Sequence, residues 1–456
     1  MKKYRFLSLL LLLAVMLSLL LPVSAVGQED LDLFCTHAAL LDANHTELLY
    51  DMKATEKAYP ASTTKIMTAL LVMEAIETGV LSPSTVVTVS ESSVSGIPSG
   101  YVVSSFKAGE EITIEELLYC MMLPSACDAA NILAEAVDGS VDDFVSHMNR
   151  KAGELGCQGT HFTNAYGRHN DEHYSTAYDL AIMMQAALEY DLFRTLIKTD
   201  EHKVPPTNMS KERHFYNSNG LISNKNYIGY YYDKCIGGKT GTTDEAGRGL
   251  VAAAEDGDEL LISVVLGSGP MEVPGEEKLK QGQFRESKRL LEYGFSNFQR
   301  VTITKGDEPV DKVKVTMSRQ ADEVNVKPQG SITRTLPKSM NVEDIETNIV
   351  LFAKEVEAPV EAGEVMGVMT LSYEGEVYGK LDLVAVTSVE RSELLYKKQQ
   401  FFEFIQAVGP KLMLAGVFLV TALAVLRLLV FRKKRRPHAG AGSRVQGRSS
   451  YRGSGR

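Results

Sequence analysis

Ser62 and Lys65 stand three residues apart in Pro60-Ala61-Ser62-Thr63-Thr64-Lys65, directly before an apolar run from Ile66 to Ile76. A helix beginning here carries both side chains on one face, one turn apart, so that the lysine amine approaches the serine hydroxyl. The pair is then a nucleophile beside a base. Lysine is a poor base at its ordinary pKa of about 10.4, but desolvation and a neighbouring cation lower it toward working pH. The helix start adds backbone amides that favour negative charge developing near the serine. Taken alone, the same spacing describes an N-cap serine followed by a solvated lysine. A second copy, Ser104-Ser105-Phe106-Lys107, runs into the turn Ala108-Gly109-Glu110 and reads as incidental.

Two further groups give Ser62 and Lys65 a context. Lys239-Thr240-Gly241-Thr242 follows Ile236-Gly237-Gly238 on what reads as an edge strand, and Ser125 lies in a short break between two helices after Pro124. Serine β-lactamases and penicillin-binding proteins carry S-x-x-K, a serine-containing loop motif and K-T-G together, in the order seen along this chain. The stretch Ala58 to Leu70, with His173-Tyr174-Ser175-Thr176-Ala177-Tyr178-Asp179-Leu180 and Gly238 to Gly247, resembles the low-molecular-mass D-alanyl-D-alanine carboxypeptidases of the penicillin-binding protein family. The segment from about Gln299 to Val389 is similar to the β-domain that follows catalysis in those enzymes.

That resemblance implies an exported serine peptidase that removes the terminal D-alanine from peptidoglycan stem peptides ending in D-Ala-D-Ala, without a cofactor, and that β-lactams acylate. It implies Ser62 as nucleophile, Lys65 as its base and Ser125 as proton relay. Lys239, Thr240, Gly241 and Thr242 would bind substrate, and the backbone N–H groups of Ser62 and Thr242 would form the oxyanion hole. At one place the chain departs from the pattern. The family's Ser-x-Asn reads Ser125-Ala126-Cys127 here, so a substrate-binding amide becomes a thiol, a weak donor and weak acceptor. The loss of one such bond weakens substrate positioning by about 1–3 kcal/mol. Asn131, one turn into the next helix, is a candidate substitute. The competing reading is a peptidoglycan-binding protein whose catalysis Cys127 has impaired. Cys127 as nucleophile lacks an adjacent base, and a β-lactamase would want an E-x-x-L-N segment that is missing after the helical insert.

The elements needed to position these groups are legible in outline. Ala38 to Asp42 and Glu47 to Tyr50 read as a hairpin. Ile66 to Ile76, apolar on nearly all sides, reads as a helix at the centre of a domain. Helices follow at Ile114–Met122, Ala129–Val137, Asp142–Leu155 and Thr176–Leu188, strands return at Gly249–Ala254 and Leu260–Gly267, and a last helix covers about Gly282 to Phe295. The expected fold is α+β: an antiparallel sheet flanked by helices with a helical subdomain set into it, as in β-lactamases and penicillin-binding proteins. A small all-β domain and one membrane helix follow.

The ends and the charge constrain the compartment. Met1 to Ala25 has a basic start, an apolar centre and a small-residue end at Val23-Ser24-Ala25, the pattern of a cleaved signal peptide. Leu412 to Phe431 is almost wholly apolar and long enough to cross a bilayer core of about 30 Å. The five basic residues at 432–436 then put the tail in the cytoplasm and the rest outside. The expected division is 1–25 signal peptide, 26–298 peptidase domain, 299–395 β-rich domain, 396–411 amphipathic connector, 412–431 membrane helix and 432–456 basic tail. The net charge of −10 is uneven: three basic groups lie in 1–25 and nine in 432–456, without acids, which leaves 36 basic against 58 acidic groups in between. Such an acidic ectodomain argues against nucleic acid as partner. Cys35, Cys120, Cys127, Cys157 and Cys235 are odd in number and lack C-x-x-C spacing, so neither a disulfide scaffold nor a zinc site is expected. His169 and His173 are spaced as metal ligands on a helix would be, but Gly167 and Asn170-Asp171 mark a loop.

Overall fold

The computed structural model describes residues 31–272, 280–373 and 375–432. The expected signal peptide and the tail beyond Arg432 lie outside them. The described residues divide into two compact units, one of residues up to 304 with 331–345 and one of 305–330 with 346 onward.

In the first unit β1 (His37–Asp42), β2 (Glu47–Met52), β3 (Cys235–Thr243), β4 (Gly247–Asp256) and β5 (Glu259–Ser268) form one antiparallel sheet in the order β2-β1-β5-β4-β3. The expected hairpin and returning strands are present, and Lys239 lies on the edge strand β3. Side chains alternate across the sheet with period two. Ala39, Leu41, Val251, Ala253, Ile262 and Val264 join the core of the helical subdomain. Their neighbours Ala38, Leu40, Leu250, Ala252 and Val265 pack on the opposite side with Phe284, Leu290 and Leu291 of α7 (Gly282–Asn297).

Six of the longer helices lie between β2 and β3: α1 (Lys65–Glu77), α2 (Ile114–Met122), α3 (Cys127–Asp138), α4 (Val141–Glu154), α5 (Ala177–Ala187) and α6 (Asp191–Lys198). Ten of the thirteen residues of α1 are buried, Lys65 included, so this helix is the axis of the domain and the Ser62 segment leads directly into its N-terminus. Thr113, Ser140 and Thr176 cap the following helices, each side chain accepting from the amide three residues on. Thr176 is therefore the cap of α5 and not its first residue. Apolar periodicity missed α6 and two small hairpins, Val86–Thr88 with Glu111–Thr113 and Glu201–Val204 with Arg213–Tyr216. The strands, of three or four residues each, are too short to show a period, whereas α6 does carry one, with Phe193, Leu196 and Ile197 buried on one face. Two strands, Phe298–Thr304 and Ile332–Pro337, pair with each other in the same unit.

The second unit holds a six-stranded sheet of β6 (Asp311–Thr316), β7 (Glu323–Pro328), β8 (Glu346–Leu351), β9 (Glu355–Glu357), β10 (Val365–Tyr373) and β11 (Glu376–Ala385), in the order β8-β10-β11-β7-β6-β9. The chain then enters α8 (Glu393–Arg432), in which the expected connector and apolar segment are one continuous helix with Pro410 inside it. It is the one helix among the described residues long and apolar enough to cross a membrane.

Because α1 is buried on all sides, its packing has no surface onto which a truncated side chain's neighbours can collapse. Leu71, fully buried in that core, is expected to cost about 2–5 kcal/mol when replaced by alanine. Guanidinium unfolding checks this through a lowered midpoint at unchanged slope.

Candidate active site

The Ser62 turn precedes α1 as a short 3-10 helix, Ala61–Thr64. Ala61 takes φ +47, a left-handed conformation that L-residues with a side chain seldom adopt. The Thr63 hydroxyl donates to the Pro60 carbonyl at 2.7 Å and secures the turn. Lys65 is fully buried, and its Nζ lies 3.1 Å from Ser62 Oγ, 2.8 Å from the Tyr166 carbonyl oxygen and 3.6 Å from Cys127 Sγ. The one-turn spacing of the sequence thus becomes a direct contact between hydroxyl and amine.

Burial pushes the Lys65 pKa down, against the smaller opposing influences of Cys127 beside the amine and of the Asp128 charge. Lys239, also fully buried, is lowered further by burial and then by the Lys65 charge. As an ammonium, Lys65 donates to all three neighbours. As a neutral amine it keeps two N–H donors and one lone pair. The Tyr166 carbonyl can only accept, and of the two neighbours that carry a proton the Ser62 hydroxyl is the nearer, so the lone pair is best used there.

Three segments enclose the pair. The first is β3: a Cβ added to Gly241 would sit 2.7 Å from the Pro60 carbonyl oxygen, so only glycine lets this strand lie against the Ser62 turn. Lys239 Nζ donates to the Thr240 carbonyl at 3.2 Å, Thr240 Oγ1 shares a 2.7 Å hydrogen bond with Ser218 Oγ, and the exposed Thr242 hydroxyl donates to the Gly241 carbonyl. The second is the break before α3. Ser125 sits at φ +71, buried, and its hydroxyl has no hydrogen-bond partner among the described residues. Strain and an unsatisfied polar atom together mark a functional position more often than a structural one. No hydrogen bond joins Ser125 to Lys65 or Lys239 here. The third is the 163–173 loop, where a Cβ on Gly167 (φ +88) would fall 1.8 Å from the Ala61 carbonyl oxygen.

The other sequence expectations resolve as follows. Cys127 begins α3 with its sulfur against the Lys65 amine. Asn131 is not brought to that position: its amide donates to the Ser93 carbonyl at 3.1 Å, because one helical turn carries it toward the Glu91–Val94 helix. Ser104 and Lys107 lie in a loop, as expected, with the Ser104 amide held by Asp128. Sequence reasoning missed Ser218, the Tyr166 carbonyl and Asn164. The first two carry no motif, since one is a lone serine and the other a backbone atom; the turn Asn164-Ala165-Tyr166-Gly167 was the available signal for the third.

A five-stranded antiparallel sheet, a helical subdomain inserted into it, and a serine–lysine pair at the start of the buried central helix define the class of penicillin-recognising serine enzymes. Sequence comparison is consistent with this. The profile described as D-alanyl-D-alanine carboxypeptidase matches residues 24–269, and that of the penicillin-binding protein 5 C-terminal domain matches residues 298–391. The chain is 31% identical to the D-alanyl-D-alanine carboxypeptidase DacF of Bacillus subtilis over 84% of its own length and 94% of that protein's. It is 30% identical to DacC of Escherichia coli over 77% and 83%. Among solved structures, penicillin-binding protein 5 from Haemophilus influenzae superposes with a TM-score of 0.64 at 25% identity, over 80% of this chain and all of that one. The chain belongs to the D-alanyl-D-alanine carboxypeptidase family of serine peptidases.

His173 ties the third of these segments to the Ser62 turn. Its Nδ1 accepts from the Thr163 amide at 3.0 Å, so the proton is on Nε2, which meets Thr64 Oγ1 at 2.8 Å. Burial, then the charges of His161, His169 and Lys65, push the His173 pKa down to about 3 from 6.5. Between those values the unfolded chain takes a proton that the folded chain refuses, so this group's contribution to stability is present above pH 6.5 and is lost as pH falls toward 3. The His173 ring resonances are expected not to titrate between pH 8 and about 4.5 in an NMR titration; a midpoint near 6.5 would contradict the geometry.

Proposed function

We propose that this protein is an active, membrane-tethered D-alanyl-D-alanine carboxypeptidase in which Ser62 is the nucleophile and Lys65 its base. The observation that carries the reading is the 3.1 Å contact between Ser62 Oγ and an amine that burial favours in its neutral form. Ser62 Oγ attacks the carbonyl carbon between two terminal D-alanines while Lys65 Nζ takes the hydroxyl proton. The carbon–nitrogen bond then breaks as the proton on Lys65 passes through Ser125 to the leaving nitrogen, which frees D-alanine, leaves an ester on Ser62 and returns Lys65 to its neutral form. Water, deprotonated by Lys65 Nζ, attacks the ester carbonyl, and the shortened peptide leaves as Ser62 Oγ takes that proton back. Backbone N–H groups of Ser62 and Thr242 hold the developing oxyanion. Lys239, Thr240 and Thr242 receive the substrate's terminal carboxylate, and Gly241 lets them come close to Ser62.

Cys127 modifies this scheme. Its sulfur occupies the acceptor position beside Lys65, where it orients the amine weakly and offers substrate a poorer partner than an amide would. The wider assignment follows the sequence expectations: peptidoglycan stem peptides as substrate, β-lactams as covalent inhibitors, 26–298 as the peptidase and 299–395 as a β-rich spacer. The α8 helix spans the membrane once, with the catalytic domain outside and the basic tail inside.

Incubation of the full chain with a fluorescent penicillin is expected to label one site, mapped to Ser62 by mass spectrometry. Ser62→Ala is expected to abolish labelling and to lower D-alanine release from a pentapeptide by at least about 10³-fold. Labelling that survives Ser62→Ala would overturn the assignment of the nucleophile. Labelling of the native protein without any release of D-alanine would favour the alternative, a peptidoglycan-binding protein impaired at Cys127.

A further inference from the structure

The acceptor nearest the Lys65 amine is not a side chain but the Tyr166 carbonyl, at 2.8 Å, so the base depends on the conformation of a loop. Asn164 organises that loop. Its Oδ1 accepts from three successive amides, Tyr166 at 3.3 Å and Gly167 and Arg168 at 2.8 Å each. Its Nδ2 donates to the Arg168 carbonyl at 2.9 Å and lies 3.3 Å from both Thr163 Oγ1 and His173 Nδ1. A turn with three consecutive N–H groups pointing inward needs an acceptor at its centre, because buried amides left unpaired are costly. The carbonyls of the same turn then point outward. That of Ala165 accepts from the buried Thr68 hydroxyl at 2.6 Å, one turn along α1, and that of Tyr166 accepts from Lys65.

We propose that Asn164 is a positioning residue for the catalytic base: it holds the Thr163–Arg168 turn so that the Tyr166 carbonyl fixes the Lys65 amine with its lone pair toward Ser62. This rests on the reading of Lys65 as the base. Asn164 itself touches neither Ser62 nor the Lys65 amine by any hydrogen bond, so its influence passes through the backbone it organises. Without it the turn opens, the Tyr166 carbonyl withdraws and water takes its place beside the amine. Misplacement of a reacting group by about 1 Å costs about a hundredfold in rate, and the water relieves the burial that keeps the amine neutral.

The groups facing the amine are Ser62 from its own turn, Cys127 and Asp128 from α3, Lys239 from β3, and Tyr166 and His173 from the loop. Burial is the largest of the influences lowering the Lys65 pKa, so hydration moves the base upward, toward the ordinary lysine range.

The test is the second-order rate constant for acylation of the full chain by a fluorescent penicillin between pH 6 and 10, normalised to the fraction that finally labels. For Asn164→Ala the expected result is a plateau at least about tenfold below the native one, with the acid limb displaced to higher pH. Asn164→Asp, which retains an acceptor for the three amides, is expected to acylate faster than Asn164→Ala. Should Asn164→Ala fail to fold, Asn164→Ser, with a shorter acceptor, carries the same two readouts. A folded variant with the native rate constant and the native acid limb would overturn the proposal, even if its stability had fallen. Failure of Lys65 as base would instead appear in the native protein, as acylation that survives Lys65→Ala.

Discussion

An amine sealed from water without a counter-ion is the constraint around which the rest of the site is arranged. Lys65 is fully buried, and among the described residues no carboxylate lies within salt-bridge distance of it. An isolated buried charge is too costly to keep, so such a group gives up its proton instead. Lys239, buried on the neighbouring strand, is pushed down in its turn by burial and then by the Lys65 charge. On the proposed reading the fold produces a base by withholding solvent from a lysine, and the start of the buried helix α1 is where it can do so. The cost is met locally by precise backbone placement. Ala61 accepts a left-handed conformation, and Gly167 and Gly241 each bring a carbonyl-bearing segment within a distance that any side chain would forbid.

This arrangement gives Cys127 a meaning that its sequence position alone did not supply. Read against the Ser-x-Asn pattern, the thiol is a lost substrate contact. In the structure its sulfur is also one of three neighbours of the Lys65 amine. A thiol there is a weaker acceptor than an amide oxygen, which leaves the Tyr166 carbonyl as the strongest acceptor available to the base. Dependence on the 163–173 loop is therefore the structural counterpart of that substitution. The same loop is anchored by the neutral His173 and by the Thr68 hydroxyl, so its position is fixed from the nucleophile turn and from α1 together.

Motif residues were legible in the sequence because each is a side chain at a fixed offset: Ser62 with Lys65, Ser125 with Cys127, and Lys239 through Thr242. The central helix was legible because its apolar run leaves no polar face, and the sheet strands because the turns Ala43-Asn44-His45 and Glu255-Asp256-Gly257-Asp258 bound them. Asn164, Ser218 and the Tyr166 carbonyl were not. The Tyr166 carbonyl meets Lys65 across 101 residues of chain and Ser218 meets Thr240 across 22, which leaves no local pattern, and Asn164 was signalled only by its own turn. Asn131 shows the converse error. Proximity in sequence to the Ser125 break suggested a substitute amide, but helical geometry turns it toward Ser93.

The central claim is that Lys65 is a neutral amine at working pH. Its most direct measurement is an NMR titration of the protein carrying 13C-labelled lysine, with the Lys65 resonance assigned by its loss in Lys65→Arg. The account predicts a midpoint below the ordinary value of 10.5. A Lys65 resonance that titrates at or above 10.5 in the folded protein would contradict it.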